Sequence, residues 1–205
     1  GLTALAGAVY GAAGLLLAVL GLHALVLATV RTLLPRRDLP AAPGPWPAVV
    51  VQLPVYEEPP ALIARALDAA LASDYPGRVE IQLLDDSSVA SRRVNAALCA
   101  ERRPGVRHLP RDAREGYKAG ALAYGLAQTD APLAAVFDVD FRPSPPTLRA
   151  LVGPLLADEG LAFVQGRWTH PGADRTWLGR AQAAVLDLHF AVEQTARDRA
   201  GLPLP

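Results

Sequence analysis

Two aspartates near the middle of the chain are spaced to bind a divalent cation. Asp138 and Asp140 directly follow the apolar run 132–137, which predicts a strand, and carboxylates at positions i and i+2 of a strand point the same way. Such carboxylates repel each other unless one takes a proton or a cation lies between them. Mg²⁺ or Mn²⁺ resolves the repulsion, with water and phosphate oxygens as further ligands. The spacing therefore predicts a site for a metal-bound diphosphate.

Lysine is rare in this chain: of the twenty lysine and arginine residues, Lys118 alone is a lysine. It lies in the small-residue stretch 114–122, which predicts the start of a helix. A helix start offers free amides and a partial positive charge to a phosphate, and lysine adds a mobile cation. The alternative is a lysine on a solvated surface, but the compositional bias favours phosphate binding.

Two other apolar runs also end in polar residues. The first passes into Gln-Leu-Pro-Val-Tyr-Glu-Glu at 52–58, and the second into Asp-Asp-Ser-Ser at 85–88. Ligands of parallel sheets bind at the carboxyl ends of the strands, so we expect these side chains at one edge with Asp138 and Asp140. The alternative is chance, because Asp and Ser favour turns in any protein.

Strands and helices alternate along the chain after residue 47. Short apolar runs predict strands, and longer stretches with apolar residues at helical spacing predict helices. Their alternation predicts an α/β fold with a mostly parallel sheet and flanking helices. The predicted strands are 48–53, 79–84, 106–109, 132–137 and 161–165, and the predicted helices are 60–72, 89–102, 115–128, 145–156 and 175–199.

Residues 1–30 contain no Asp, Glu, Lys or Arg. A helix of about 20 apolar residues crosses a bilayer core, so this stretch predicts one transmembrane helix; the alternative is a buried core helix. Arg31, Arg36 and Arg37 follow it, which places the rest of the chain in the cytoplasm by the positive-inside rule.

A proline-rich linker, 31–47, joins this helix to a domain predicted over 48–205. Within the linker, Trp46 lies either at the lipid headgroups or against the domain. The chain has twenty acidic and twenty basic residues and a single cysteine, Cys99. This balance gives no reason to expect a nucleic-acid partner, and one cysteine suits a reducing compartment. Because the chain has no methionine, we expect a fragment.

The quoted motifs resemble, in order and spacing, the family-two membrane glycosyltransferases, especially their cellulose-synthase-like and glucomannan-synthase-like branch. The resemblance covers 48–205 and implies a GT-A fold, a nucleotide-sugar donor, a divalent metal and transfer with inversion. Its segments are Gln-Leu-Pro-Val-Tyr-Glu-Glu-Pro (52–59), Leu-Leu-Asp-Asp-Ser-Ser (83–88), Arg-Glu-Gly-Tyr-Lys-Ala-Gly-Ala-Leu (114–122), Phe-Asp-Val-Asp-Phe-Arg-Pro (137–143), Val-Gln-Gly-Arg-Trp-Thr-His (164–170) and the predicted helix around 180–199.

The resemblance also implies roles for single residues around the nucleotide. Pro54, Tyr56 and Glu58 would frame it. Asp85 resembles the aspartate that accepts a hydrogen bond from uracil, with Asp86 beside it.

Other residues resemble those that meet the diphosphate, the metal and the sugar. Lys118 resembles the lysine that contacts the diphosphate, and Asp138 and Asp140 resemble the metal-binding pair. A later segment resembles the one lining the donor and acceptor side: Gln165, Arg167, Trp168 and His170. The alternatives are core packing for Trp168 and a surface charge for Arg167.

Two departures from the family pattern stand out. The first motif usually has Asn where this chain has Glu57, so a donor contact is expected to differ. The family's catalytic base lies in a Thr-Glu-Asp motif that these 205 residues do not contain. We therefore expect nucleotide and metal binding, without turnover, from this chain alone.

The resemblance implies a membrane-anchored glycosyltransferase that moves a hexose from a UDP- or GDP-sugar to a growing β-linked polysaccharide. The expected location is the bacterial inner membrane, with the catalytic domain in the cytoplasm. The alternatives are a single-transfer enzyme with a lipid acceptor, a non-catalytic nucleotide-binding module, an aspartate-dependent phosphatase and an interaction protein.

Overall fold

The computed structural model describes residues 1–35 and 44–202. The chain divides into two compact units: Pro40–Val164, and Gly1–Leu39 together with Gln165–Pro205. The first contains the four strands found among the described residues and is called the sheet unit here, and the second is called the helical unit.

The sheet has four parallel strands in the order β3-β2-β1-β4. This arrangement confirms the predicted α/β fold with a parallel sheet. The strands are β1 (Val49–Val55), β2 (Val79–Asp85), β3 (Val106–Pro110) and β4 (Leu133–Val136), and the α-helices are α1 (Leu2–Leu33), α2 (Pro60–Leu71), α3 (Val89–Ala100), α4 (Tyr117–Leu126), α5 (Thr147–Ala157), α6 (Trp177–Leu188) and α7 (Thr195–Arg199).

The predicted fifth strand is wrong. Residues 161–165, all of which the structure describes, form no strand, and Phe163 remains exposed. An apolar run shows that a segment is able to extend, but a strand also needs a neighbour with which to share a hydrogen-bond ladder.

Strand β1 forms the centre of the sheet unit, and six of its seven residues are buried. Its side chains alternate between two faces, as the pleat requires. Val51 and Leu53 pack in the core cluster that includes Ile63 and Leu67 of α2. The other face carries Gln52, and it is covered by α4.

Helix α4 is fixed against the sheet by a buried amide. Gln52 Nε2 donates to Gln82 Oε1 and to the carbonyl oxygen of Leu122, both at 3.2 Å. A Cβ at Gly125 would lie 2.5 Å from Gln52 Nε2, so only glycine lets the helix approach this closely. The position of α4 matters because Lys118 lies in its first turn.

The predicted linker, 31–47, is described only at its ends, because residues 36–43 lie outside the described residues. Trp46 packs edge-to-face against Tyr75, with ring centroids 5.5 Å apart. The Tyr75 hydroxyl donates to the Pro47 carbonyl oxygen at 2.8 Å. Of the two interpretations of Trp46, packing on the domain is the one observed. The three predicted segment boundaries stay predictions.

In the helical unit, α1 is the one helix among the described residues that is long and apolar enough to cross a membrane. An Arg199 N–H donates to the carbonyl oxygen of Leu34 at 3.0 Å and also to that of Arg31. These are carbonyls at the end of α1, where cations interact favourably with the helix dipole.

The predicted single helix over 175–199 is interrupted. Thr176 accepts a hydrogen bond from the Gly179 N–H at 3.0 Å and so caps the start of α6. Residues His189–Gln194 form a π-helix between α6 and α7. Helical spacing in the sequence does not reveal such an insertion, because the apolar pattern continues through it.

Candidate active site

Lys118 and Asp138 meet at the carboxyl edge of the sheet. Lys118 lies in the first turn of α4 and Asp138 lies two residues beyond the end of β4. The Lys118 ammonium forms an ion pair with Asp138 Oδ1, and both side chains are about half exposed, at 52% and 47%. Two of the predicted site residues, separated by twenty positions, therefore meet at a solvent-accessible point.

The predicted geometry of the aspartate pair is wrong in one respect. Strand β4 ends at Val136, and the Phe141 N–H donates to the Asp138 carbonyl oxygen at 3.0 Å. This bond closes a turn, so Asp138 and Asp140 do not continue a strand. Val139 between them is buried, whereas Asp140 is exposed.

Asp85, at the end of β2, is wholly buried. Its Oδ2 accepts a hydrogen bond from Asn95 at 2.9 Å and faces His108 Nε2 at 2.8 Å, and its Oδ1 accepts from the Ser87 N–H at 3.0 Å. Burial alone would raise the pKa of Asp85, but hydrogen bonds from His108, Asn95 and Ser87 outweigh it and lower the pKa to about 2. A uracil contact with Asp85 stays a prediction, and because the side chain is wholly buried, it would require the surrounding residues to open.

Asp86 is held by arginine. Arg111 Nε and Nη2 donate to its two carboxylate oxygens at 2.7 and 2.6 Å, in the bidentate geometry that makes such pairs strong. Arg114 Nε lies 4.0 Å from Asp86 Oδ2. This carboxylate therefore anchors the loop that leads into α4.

The end of β1 presents an aromatic ring to solvent. The Arg114 guanidinium carbon lies 3.4 Å from the centre of the Tyr56 ring, a cation–π contact. The Glu58 carboxylate accepts the Tyr56 N–H. Pro54 lies beyond Gln52, the last β1 residue paired with β4, so its missing N–H does not interrupt that ladder. Their contacts with a nucleotide stay predictions.

Glu57 links β1 to the start of α3. Its carboxylate accepts hydrogen bonds from the Ser91 hydroxyl at 2.7 Å and the Ser88 N–H at 2.5 Å. The hydrogen bond from Ser91, followed by that from Ser88, lowers the pKa of Glu57. Its φ of 62° lies in the left-handed region, in which Asn is enriched.

The remaining predicted residues belong to the helical unit. Arg167 Nη2 lies 2.7 Å from Asp187 Oδ1, and the Trp168 ring lies 5.2 Å from that of Phe190. Arg167, Trp168, His170 and Asp187 are among the residues lining a cleft of about 670 Å³. Because this cleft lies within the helical unit, the roles of this segment towards the donor or acceptor stay predictions.

The sequence analysis did not identify the residues that hold Asp85 and Asp86 in place. They reach Asp85 and Asp86 from other elements, and they are Asn95, His108, Arg111 and Arg114. One signal was available: Arg111 directly follows β3, just as the predicted site residues follow the other strands.

The carboxylates suit a metal only in part. Within 1–35 and 44–202, no group of three or more His, Cys, Asp and Glu side chains could hold an ion. Two carboxylates do suit Mg²⁺ or Mn²⁺ when phosphate and water oxygens complete the coordination. That Asp138 and Asp140 hold the metal, with a diphosphate completing the coordination, stays a prediction.

The four-stranded parallel sheet with its flanking helices is an α/β fold of the GT-A type. Residues 50–201 match glycosyl transferase family 2, and the chain belongs to that family, as its motifs predicted.

Curated relatives with similar sequences are plant proteins. The chain is 34% identical over 165 residues to glucomannan 4-beta-mannosyltransferase 7 of Arabidopsis thaliana, a match covering 77% of this chain and 30% of the relative. It is 36% identical over 165 residues to probable glucomannan 4-beta-mannosyltransferase 9 of Oryza sativa subsp. japonica, covering 77% and 31%. The chain thus spans about a third of the length of these relatives. The expected bacterial inner membrane is wrong, because these relatives are not bacterial.

A solved structure shares the fold. The mannosyltransferase of Pyrobaculum calidifontis, in complex with GDP-Man and Mn²⁺, superposes with a TM-score of 0.57 and 27% identity. The match covers 67% of this chain and 39% of the other. The predicted GT-A fold is thereby confirmed.

Proposed function

We propose that this protein is a glycosyltransferase that moves a hexose from a UDP- or GDP-sugar to a growing β-linked polysaccharide. The observation that carries the proposal is the ion pair of Lys118 and Asp138 at the carboxyl edge. The glucomannan mannosyltransferases among its relatives favour a polysaccharide acceptor. The bound GDP-Man in the solved neighbour supports a nucleotide-sugar donor.

The reaction needs stabilisation of a leaving diphosphate. Lys118 places a positive charge in the first turn of α4, where the helix dipole adds to it. Charge fixed before the reaction lowers the barrier because it interacts most strongly with the negative charge that develops on the leaving group. Asp138 and Asp140 would hold Mg²⁺ or Mn²⁺, which supplies Lewis-acid stabilisation of that group.

The membrane part of the proposal rests on α1. This helix is 32 residues long and strongly apolar, and none of its residues is buried. At about 1.5 Å per residue, such a helix is longer than the roughly 30 Å hydrocarbon core of a bilayer. We assign it as an anchor that keeps the enzyme near a membrane and near a glycan or lipid acceptor.

Titration calorimetry of the chain with GDP and UDP, with and without Mn²⁺, tests the donor site. We expect one of the nucleotides to bind in a Mn²⁺-dependent way, and Asp140→Ala to weaken that binding about tenfold or more. Asp130→Ala is the matched control, because this exposed aspartate precedes β4 instead of following it. Equal binding by Asp140→Ala and wild type would overturn the proposed site. Binding without sugar transfer by the complete protein would support a nucleotide-binding module instead.

A further inference from the structure

The guanidinium of Arg111 connects two parts of the sheet unit that are distant in sequence. On one side it is bidentate with Asp86 at the end of β2. On the other side its Nη1 donates to the Glu115 carbonyl oxygen at 3.1 Å and its Nη2 to that of Tyr117 at 3.0 Å. These carbonyls flank Gly116, the residue that precedes α4.

The backbone held by Arg111 adopts an uncommon conformation. Gly116 has a φ of 67° and Tyr117 a φ of 49°, both in the left-handed region. A non-glycine residue there costs about 1 kcal/mol or more and persists only where neighbouring contacts impose it. Arg111 supplies such contacts immediately before Lys118.

The hydrogen bonds of Arg111 leave it almost no free N–H group with which to bind a ligand. Four of the five guanidinium N–H groups are engaged by Asp86 and the two carbonyls, and the side chain is only 10% exposed. Lysine could not reproduce this set, because its ammonium lacks the planar fork.

We propose that Arg111, anchored by Asp86, is a positioning residue that fixes the first turn of α4 and thereby holds Lys118 beside Asp138. This inference rests on the proposed function in so far as Lys118 meets the diphosphate of the donor. It assigns Asp86 to the support of that lysine and not to the nucleotide itself.

Amide hydrogen exchange of the nucleotide-free chain tests the positioning directly. In Arg111→Gln we expect exchange at residues 116–120 to rise about tenfold, since charge-assisted hydrogen bonds that hold the turn are lost. Exchange in α3 should stay within about twofold of wild type. The matched control is Arg107→Gln, because Arg107 also joins a carboxylate to a carbonyl, Glu80 and Gln128, but at the other end of β3.

Nucleotide binding supplies a readout that a merely structural role would not move. We expect Arg111→Gln to weaken the Mn²⁺-dependent affinity for the diphosphate, GDP or UDP, about tenfold. The affinity for the matching monophosphate should change less than about twofold. When Lys118 is already replaced by Gln, Arg111→Gln should have little further effect on the affinity for the diphosphate, because both substitutions act through the same contact.

These measurements distinguish failure of the positioning role of Arg111 from failure of the proposed function. Unchanged exchange at 116–120 in Arg111→Gln overturns the positioning role, whether or not nucleotide binds. Equal losses for monophosphate and diphosphate, or additive losses with Lys118→Gln, overturn it as well. Faster exchange at 116–120 in a chain that binds neither nucleotide supports the positioning of Lys118, while the proposed function fails.

Discussion

The Nε2 atom of His108 lies 2.8 Å from Oδ2 of Asp85, a carboxylate with no exposure to solvent. An ionised carboxylate only accepts hydrogen bonds, so the Nε2 atom carries the proton in this pair. His108 belongs to β3 and Asn95 to α3, and both donate to Asp85 at the end of β2. One buried charge thus holds three elements in register below the carboxyl edge.

This arrangement predicts a pH-dependent stability. The pKa of Asp85 is about 2 in the folded chain against an ordinary value of 3.8. A lowered pKa stabilises the fold fully above about pH 3.8, by roughly 2 kcal/mol, and the contribution disappears as the pH falls towards 2. Denaturant unfolding of wild type and Asp85→Asn should differ by at least about this amount at pH 7, and the difference should begin to shrink below about pH 3.8 and disappear towards pH 2.

Asp112→Asn is the control for that experiment. Asp112 carries a carboxylate too, but it pairs with Arg92 and its side chain is fully exposed. We expect Asp112→Asn to leave the free energy of unfolding close to that of wild type, because exposed ion pairs contribute little to stability. A difference between Asp85→Asn and wild type that stays constant from pH 7 to 2 would show that the Asp85 charge is not the cause.

Glu57 gives a prediction about backbone strain. Because its φ is 62°, we expect Glu57→Gly to be more stable than Glu57→Ala by about 1 kcal/mol, as glycine adopts this conformation without a Cβ penalty. Both variants lose the carboxylate, so the comparison isolates the backbone. Unfolding in denaturant measures the difference.

The neighbouring residue provides the matched comparison. Among the described residues, only Glu57 and Tyr117 combine a side chain with a positive φ, so Glu58 lies in the ordinary range. At Glu58 the order should reverse, with the alanine variant the more stable. The same order at both positions would contradict a strained Glu57.

The sequence predicted the four strands to within two residues at each end. Each is an apolar run bounded by turn residues, so local information suffices to find it. Residues 161–165 have the same local pattern and form no strand, since pairing depends on a neighbour elsewhere in the chain. The turn that follows β4 was missed for a related reason: Asp138 and Phe141 close it without Gly or Asn.

The candidate site was predictable in its position but not in its internal contacts. The rule that ligands bind at the carboxyl ends of parallel strands predicted Asp138 at this edge, and the helix start predicted Lys118 as a phosphate-binding residue. Nothing in the local sequence shows that Arg111 reaches back 25 positions to Asp86, or that Asp85 is enclosed by three donors. Such contacts depend on how the elements pack, which no short motif encodes.

The backbone packs closely around Gly120, near Lys118, so we expect this position to require glycine. A Cβ there would lie 2.0 Å from the Glu115 carbonyl oxygen and 2.8 Å from Arg111 Nη1. We expect Gly120→Ala to lower the free energy of unfolding by about 2 to 3 kcal/mol, because backbone cannot move aside as a side chain does. Ala123→Gly, at an exposed position of the same helix, should cost about 1 kcal/mol through helix propensity alone. A stable Gly120→Ala chain would contradict this packing.

Replacing Asp138 tests whether its ion pair with Lys118 serves ligand binding or the stability of the fold. Its partner Lys118 is half exposed, and screened pairs contribute little, so Asp138→Asn should change the free energy of unfolding by less than about 1 kcal/mol. The same variant should lose about tenfold or more of its Mn²⁺-dependent nucleotide affinity, because the metal loses a charged ligand. Asp68→Asn is the control, since Asp68 pairs with Arg102 and is comparably exposed but belongs to α2. If both variants bind nucleotide equally well, Asp138 contributes no more to the donor site than an ordinary surface charge.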